Sequence, residues 1–196
     1  MPTAAGSRRT QADRSTITRA ALESATIDLL VESGWASVSA IEVCKRAGVS
    51  RGAFHHHYSS LAALFAGALR RLYSEMVPEA ASPDGPPPVT NLLKLIDRTW
   101  AALSEPRFKA VLEAWLAMSN DPQLRGQIGP VVGEFAKVFG PEQLPASGFA
   151  KRSEQTRYLM ARETLLGLAL GRAIAGGRAL PHEGAVIAAL KKAVAS

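Results

Sequence analysis

The chain has 196 residues, 47% of them hydrophobic and 20% charged, with one cysteine and a formal net charge of +6. That composition excludes a wholly disordered or fibrous chain and any internal disulfide, and a chain this long buries enough surface to fold without a metal or a cross-link. The positive balance gives an isoelectric point near 9.8 but is split evenly, +3 over residues 1–75 and +3 over the remainder, so charge alone marks no polyanion-binding face.

Residues 1–14 are small, polar and basic and read as a disordered arm. They contain no apolar h-region, which excludes a secretory signal. The longest run without Asp, Glu, Lys or Arg, residues 52–69, carries three histidines, a tyrosine and two serines, which excludes a lipid-facing helix. The expectation is a cytoplasmic protein that meets no membrane.

From about Thr16 to Ser33, Ile17, Ala21, Leu22, Ala25, Leu29 and Leu30 recur at three- and four-residue steps, the mark of an amphipathic helix. Gly34 follows where a left-handed cap is wanted, and Trp35 reads as a packing residue at the helix end. Ser39 and Glu42 are spaced as a reciprocal capping box, with Val38 and Val43 as its hydrophobic staple, so a short helix spans about 40–47. Gly48-Val49-Ser50 supplies a turn and a new N-cap, and a second short helix runs from Arg51 to about His57. Ser60 caps a longer helix through Leu61, Leu64, Phe65, Ala68, Leu69 and Leu72 to about Met76. Five prolines within 78–88 break any helix and place a linker over 78–89. Helical patterns resume at about 90–104, 107–119, 122–139, 151–176 and 182–194, the longest break being marked by Gly140, Pro141, Pro145 and Gly148. The fold class is therefore all-α with about nine helices: a helix-turn-helix unit over 15–77 and a helical bundle over 90–196.

Two short helices joined by a glycine turn and preceded by a longer helix have the layout of a helix-turn-helix. Val43, Ala47, Val49, Phe54 and Tyr58 can converge beneath the second helix. Arg51, Gly52, Ala53, His55 and His56 then point outward, and together with the capping Ser39 and Ser50 they are the candidate DNA contacts. Gly52 and Ala53 let backbone approach a groove closely, and Arg51 can bridge guanine bidentately.

The run from Ile17 to Phe65 resembles the DNA-binding domain of the TetR/AcrR (tetracycline-repressor-like) transcriptional regulators. The resemblance rests on Ala25, Leu29-Leu30, Gly34-Trp35, Ser39, Val43, the unbroken run Arg46 to Gly52, Phe54, His57-Tyr58, Ser60 and Leu64. It covers about a quarter of the chain. It implies a one-component regulator, a repressor that grips a palindromic DNA operator as a homodimer and is released by an unknown small-molecule effector. One recognition helix reads only a few base pairs, so a two-fold dimer is also what selectivity requires. The resemblance assigns the dimer to the last two helices, where Leu165, Leu168, Ala169, Ile174, Ile187 and Leu190 are the candidate interface. The family usually carries Tyr where this chain has His55 and Lys where it has Leu61, both phosphate-contacting positions, which implies weaker or more salt-sensitive binding.

Other readings compete at several positions. Consecutive His55, His56 and His57 point about 100° apart and cannot share one ion well, so they read as DNA-contacting or packing residues, with no metal site. Cys44 reads as a buried inert thiol rather than a redox switch. Trp100, Phe108, Trp115, Met118, Phe135 and Tyr158 are candidate walls of a ligand pocket, with Phe139, Phe149 and Met160 beside them, although residues at such spacing more often form plain core. Arg8, Arg9 and Arg14 are balanced between a solvated tail and contacts to phosphate or minor groove. No nucleophile elbow, phosphate loop or paired carboxylates appear, so neither catalysis nor a cofactor is expected. The alternative function is DNA binding without small-molecule control, by an architectural or partner-controlled protein.

Overall fold

The computed structural model describes residues 11–77, 91–138, 144 and 151–195. Among them stand nine α-helices and no strand: α1 (Gln11–Ser33), α2 (Ala40–Ala47), α3 (Arg51–His57), α4 (Leu61–Met76), α5 (Leu92–Leu103), α6 (Phe108–Asn120), α7 (Pro122–Val138), α8 (Arg152–Ile174) and α9 (Glu183–Ala195). The expected arm over 1–10, the proline linker and the glycine- and proline-marked break near 140–148 lie outside the described residues, apart from Leu144.

Helix α1 begins at Gln11, not near Thr16 as the apolar periodicity predicts. The periodic signal starts at Ile17, itself 51% exposed, about one turn before the helix meets the core at Leu22. The preceding turn is polar, with Asp13 placed to offset the partial positive charge of a helix N-terminus. Three serines start the next helices by accepting a backbone N–H: Ser39 Oγ from Glu42 at 3.2 Å, Ser50 Oγ from Ala53 at 3.1 Å and Ser60 Oγ from Ala63 at 3.0 Å. The Ser39 half of the predicted box is present, whereas Glu42 stands exposed and the reciprocal bond is not among those made by the cap. Gly48 ends α2 in the left-handed region at φ 66°, its N–H bonding back to the carbonyls of Cys44 and Lys45. A 3-10 turn over Trp35–Ser37, which the periodicity does not predict, brings the Trp35 ring onto Phe65 at 4.1 Å.

One apolar core runs from Leu22 and Leu30 in α1 through Val43, Phe54 and Leu69 to Val111, Ile128, Leu165 and Val194. Helix α4 is its spine, packing against α1 on one side and α7 on the other. Helix α8 packs on α5, α6 and α9. Tyr158, Leu95 and Leu144 form a small separate cluster. The end of α8 is tied to the start of α9 by Arg172, whose guanidinium makes two 2.6 Å bonds to Glu183 and lies 5.2 Å from the centre of the Trp100 ring.

Candidate functional site

The outward face of α3 is built from beneath. Phe54 is 2% exposed and Val43 fully buried, while Ala47 and Val49 pack against the same core, which fixes α3 across α2. Tyr58, also buried, donates its hydroxyl to Glu23 Oε1 on α1 at 2.6 Å, and Gly67 on α4 leaves the space this contact needs. A Cβ at Gly67 would stand 3.0 Å from the Tyr58 oxygen. Burial, and then the Glu23 carboxylate, push the Tyr58 phenol far above its ordinary range, so it remains a donor. With Phe54 and Tyr58 anchored, Arg51, Gly52, His55 and His56 stand exposed on one side, as the sequence predicts. Ser50 is exposed, Ser39 and Ala53 only half so; Ala53 is thus a flank of the face rather than its centre.

Arg46 is held away from this face by a two-pronged pair with Glu32, at 2.9 and 2.6 Å. Cys44 is buried, its Sγ 3.9 Å from the Ser50 carbonyl at the α2–α3 turn. Among the described residues, no group of three or more His, Cys, Asp or Glu could hold a metal ion, and no helix is long and apolar enough to cross a membrane.

A cavity of about 220 Å³ lies inside the bundle between α5, α6, α7 and α8. Leu103, Trp115, Phe135 and Leu166 form its apolar wall, and Thr99, Arg162 and Glu163 its polar side. Of the six predicted wall residues, Trp115 and Phe135 are on it and four are not. Trp100 carries the Arg172 guanidinium, and Met118 packs against the core. Tyr158 stands behind the wall, its hydroxyl 3.4 Å from Thr99 Oγ1. Phe108 instead borders a second depression of about 280 Å³ between the end of α1, the α5–α6 turn and the end of α8. Of the wall residues that aromatic spacing does not predict, Thr99 with Leu103 and Arg162 with Leu166 stand at i, i+4 on their helices, the signal the sequence offers, while Ala136 and Glu163 carry none.

The predicted dimer residues divide in the same way. Leu165, Leu168 and Ala169 are 0%, 6% and 3% exposed and belong to the core of the chain itself, because α8 turns that side toward α5 and α6. Ile187 and Leu190 are half-buried against the same core. Ile174 is 80% exposed, and Met160 at 65% and Leu170 at 43% continue its stripe along α8, four to fourteen residues apart.

Residues 22–68 match the family model of the tetR family of bacterial regulatory proteins. An HTH-type transcriptional regulator of Mycobacterium tuberculosis is 32% identical over 154 residues, covering 72% of this chain and 77% of its own. Among solved structures, a transcriptional regulator from Rhodococcus sp. superposes with a TM-score of 0.64 at 24% identity, covering 90% of this chain and 94% of its own. NalD of Pseudomonas aeruginosa, the secondary repressor of a multidrug efflux pump, gives 0.62 at 18% identity over 92% and 95%. At these identities the structural likenesses establish the fold alone.

Proposed function

The chain belongs to the tetR family and is a DNA-binding transcriptional regulator, and on that premise we propose that it is a repressor whose homodimer holds a palindromic operator and lets go when a small molecule enters the bundle. The observation that carries the DNA half is the face of α3, with Arg51, Gly52, His55 and His56 exposed above a Phe54 anchor that is 2% exposed. In the major groove, Arg51 at the helix start meets base edges, and the flanking histidines meet backbone.

The exposed apolar stripe Met160, Leu170 and Ile174 supports a two-fold pairing through α8. Helix α9 supplies a flank of small exposed residues, Ala185, Ala188 and Ala189, against which a second copy can approach closely. The bundle cavity supports the effector half. A cavity of about 150 Å³ takes benzene, so 220 Å³ with apolar walls suits a molecule of one or two rings whose polar end lies toward Arg162 and Glu163. Such a ligand must discriminate between two forms of the dimer; moving the population from 1:99 to 99:1 takes about 5.5 kcal/mol of differential affinity.

The test is selection of duplexes from a random-sequence pool by the purified protein, followed by gel shift and sedimentation. A two-fold symmetric consensus bound by a dimer is the expected result. Binding without sequence preference over competitor DNA overturns the regulator reading, and a monomer on DNA overturns the pairing.

A further inference from the structure

The early start of α1 has a consequence at the DNA face. Its first two turns run beside the C-terminal end of α3, and an open groove of about 170 Å³ between them is lined by Arg14, Ser15, Thr18, His56 and His57. Every one of these side chains carries an N–H or O–H donor, and none is acidic or apolar. Arg19, one turn further along α1, lies 5.4 Å from the Tyr58 ring centre and adds to the positive potential felt at His57. A groove of this composition suits an anion with several acceptor oxygens. It lies beside His56 on the exposed side of the recognition helix, and the anion a duplex presents there is a backbone phosphate. Helix α3 has 7 residues, so it is about 10 Å long at 1.5 Å per residue, close to the roughly 12 Å width of the major groove. With Arg51 at base edges, the opposite end of α3 therefore reaches the groove wall.

We propose that Arg14, with His56 and His57, clamps one phosphate flanking each half-site, making the first two turns of α1 part of the DNA-binding surface. The proposal rests on the DNA-binding reading and adds a contact that the helix-turn-helix does not itself supply.

The probe is the duplex that the wild-type protein recovers from a random-sequence pool, with affinity measured by fluorescence anisotropy between 50 and 200 mM salt. Each phosphate contact contributes about 0.9 to the slope of log affinity against log salt, so Arg14→Ala is expected to lower the slope by about 1.8 in a two-fold complex. Arg178→Ala, an exposed arginine in the α8–α9 turn, leaves the slope unchanged. A scan with neutral methylphosphonate substitutions then finds one flanking position per half-site at which Arg14→Ala loses less affinity than wild type does. An unchanged slope overturns the clamp, as does an Arg14→Ala protein that stays as sensitive as wild type at every position. Failure of wild type to recover any preferred duplex sinks the DNA-binding reading first, and the clamp with it.

Discussion

Glu113 on α6 accepts the backbone N–H of Trp35 at 3.0 Å, reaching across to the turn that follows α1. Gly34 makes the approach possible: it holds φ 73°, and a Cβ there would stand 3.1 Å from the nearer Glu113 oxygen. One helical turn earlier, Lys109 donates to the Val31 carbonyl at 2.6 Å. Helix α6 thus caps the C-terminal end of α1 with two charged groups while its Trp115 lines the bundle cavity. Glu113→Ala leaves the Trp35 N–H without this acceptor and is expected to cost about 2 kcal/mol, the usual range for a bond to a charged group. Gly34→Ala should lower stability as well, through positive φ and through displacement of the carboxylate. The two losses should be less than additive in a double-mutant cycle followed by thermal unfolding; full additivity would show that the glycine and the glutamate act separately.

Tyr73 offers a substitution of the opposite sign. Its ring stacks on Phe135 at 3.8 Å, but its buried hydroxyl has no hydrogen-bond partner, and neither has the Trp115 indole nitrogen nearby. Burial raises the phenol far above its ordinary range, and the Trp115 N–H, near the oxygen but outside hydrogen-bonding geometry, is the one group that acts against this. Removing the oxygen keeps the stack and relieves an unsatisfied buried group. Tyr73→Phe is expected to raise unfolding free energy by about 1 kcal/mol. A loss of that size in denaturant titration would mean that the hydroxyl is satisfied in solution.

The parts of this fold that the sequence discloses are those decided within a few residues. A serine ahead of each of three helices and a glycine at Gly48 are local solutions to unpaired amides and a left-handed turn, and α2, α3 and α4 start, and α2 stops, where those residues stand. The outward face of α3 follows, because Phe54 and Tyr58 leave only one side for Arg51, His55 and His56. The bundle is different. Leu165 and Leu168 face inward while Leu170 and Ile174 face outward, and composition does not separate them; the neighbours α5 and α6 do. The cavity wall has the same origin, since four helices each contribute one to three residues. The start of α1 leaves no apolar signal because Asp13, Arg14 and Ser15 stand exposed and bring no apolar side chain to the core.

The Arg172–Glu183 pair yields an acid-sensitivity prediction. Its hydrogen bond with Arg172 holds the Glu183 carboxyl below the usual range against the effect of burial, and the Leu180 N–H, donating to Glu183 Oε2 at 3.3 Å, acts in the same direction. A carboxylate lowered in the folded state contributes stability that is present above its unfolded value and lost as pH falls through the folded one. Wild-type stability should therefore decline on acidification below about pH 4.5, the ordinary glutamate value. Glu183→Gln, which leaves Arg172 without its anion, should already be less stable by about 2 kcal/mol at neutral pH. Its acid decline should be shallower than that of wild type. Parallel declines of the two proteins' melting temperatures as pH is lowered from 7 through 4.5 to well below it would remove Glu183 from the account.

Affinity for DNA should itself vary with pH, and His57 sets the sign. In the free protein its imidazole is held below the ordinary 6.5, first by desolvation and then by the positive charges of His56 and Arg19. Arg14, Ser15 and Thr18 on α1 complete its surroundings in the groove and bring no acid. A phosphate placed there favours the charged imidazole, so its pKa is higher in the complex than in the free protein and binding takes up protons. Affinity must then rise as pH falls from 8 toward 6, levelling only once pH passes below the free-protein value. His57→Gln should flatten that rise, while Arg14→Ala, which removes a competing cation along with the clamp, should weaken binding at every pH. Anisotropy titrations of the selected duplex at pH 8, 7 and 6 decide it: a binding constant unchanged across that range would mean that no titrating imidazole meets the backbone.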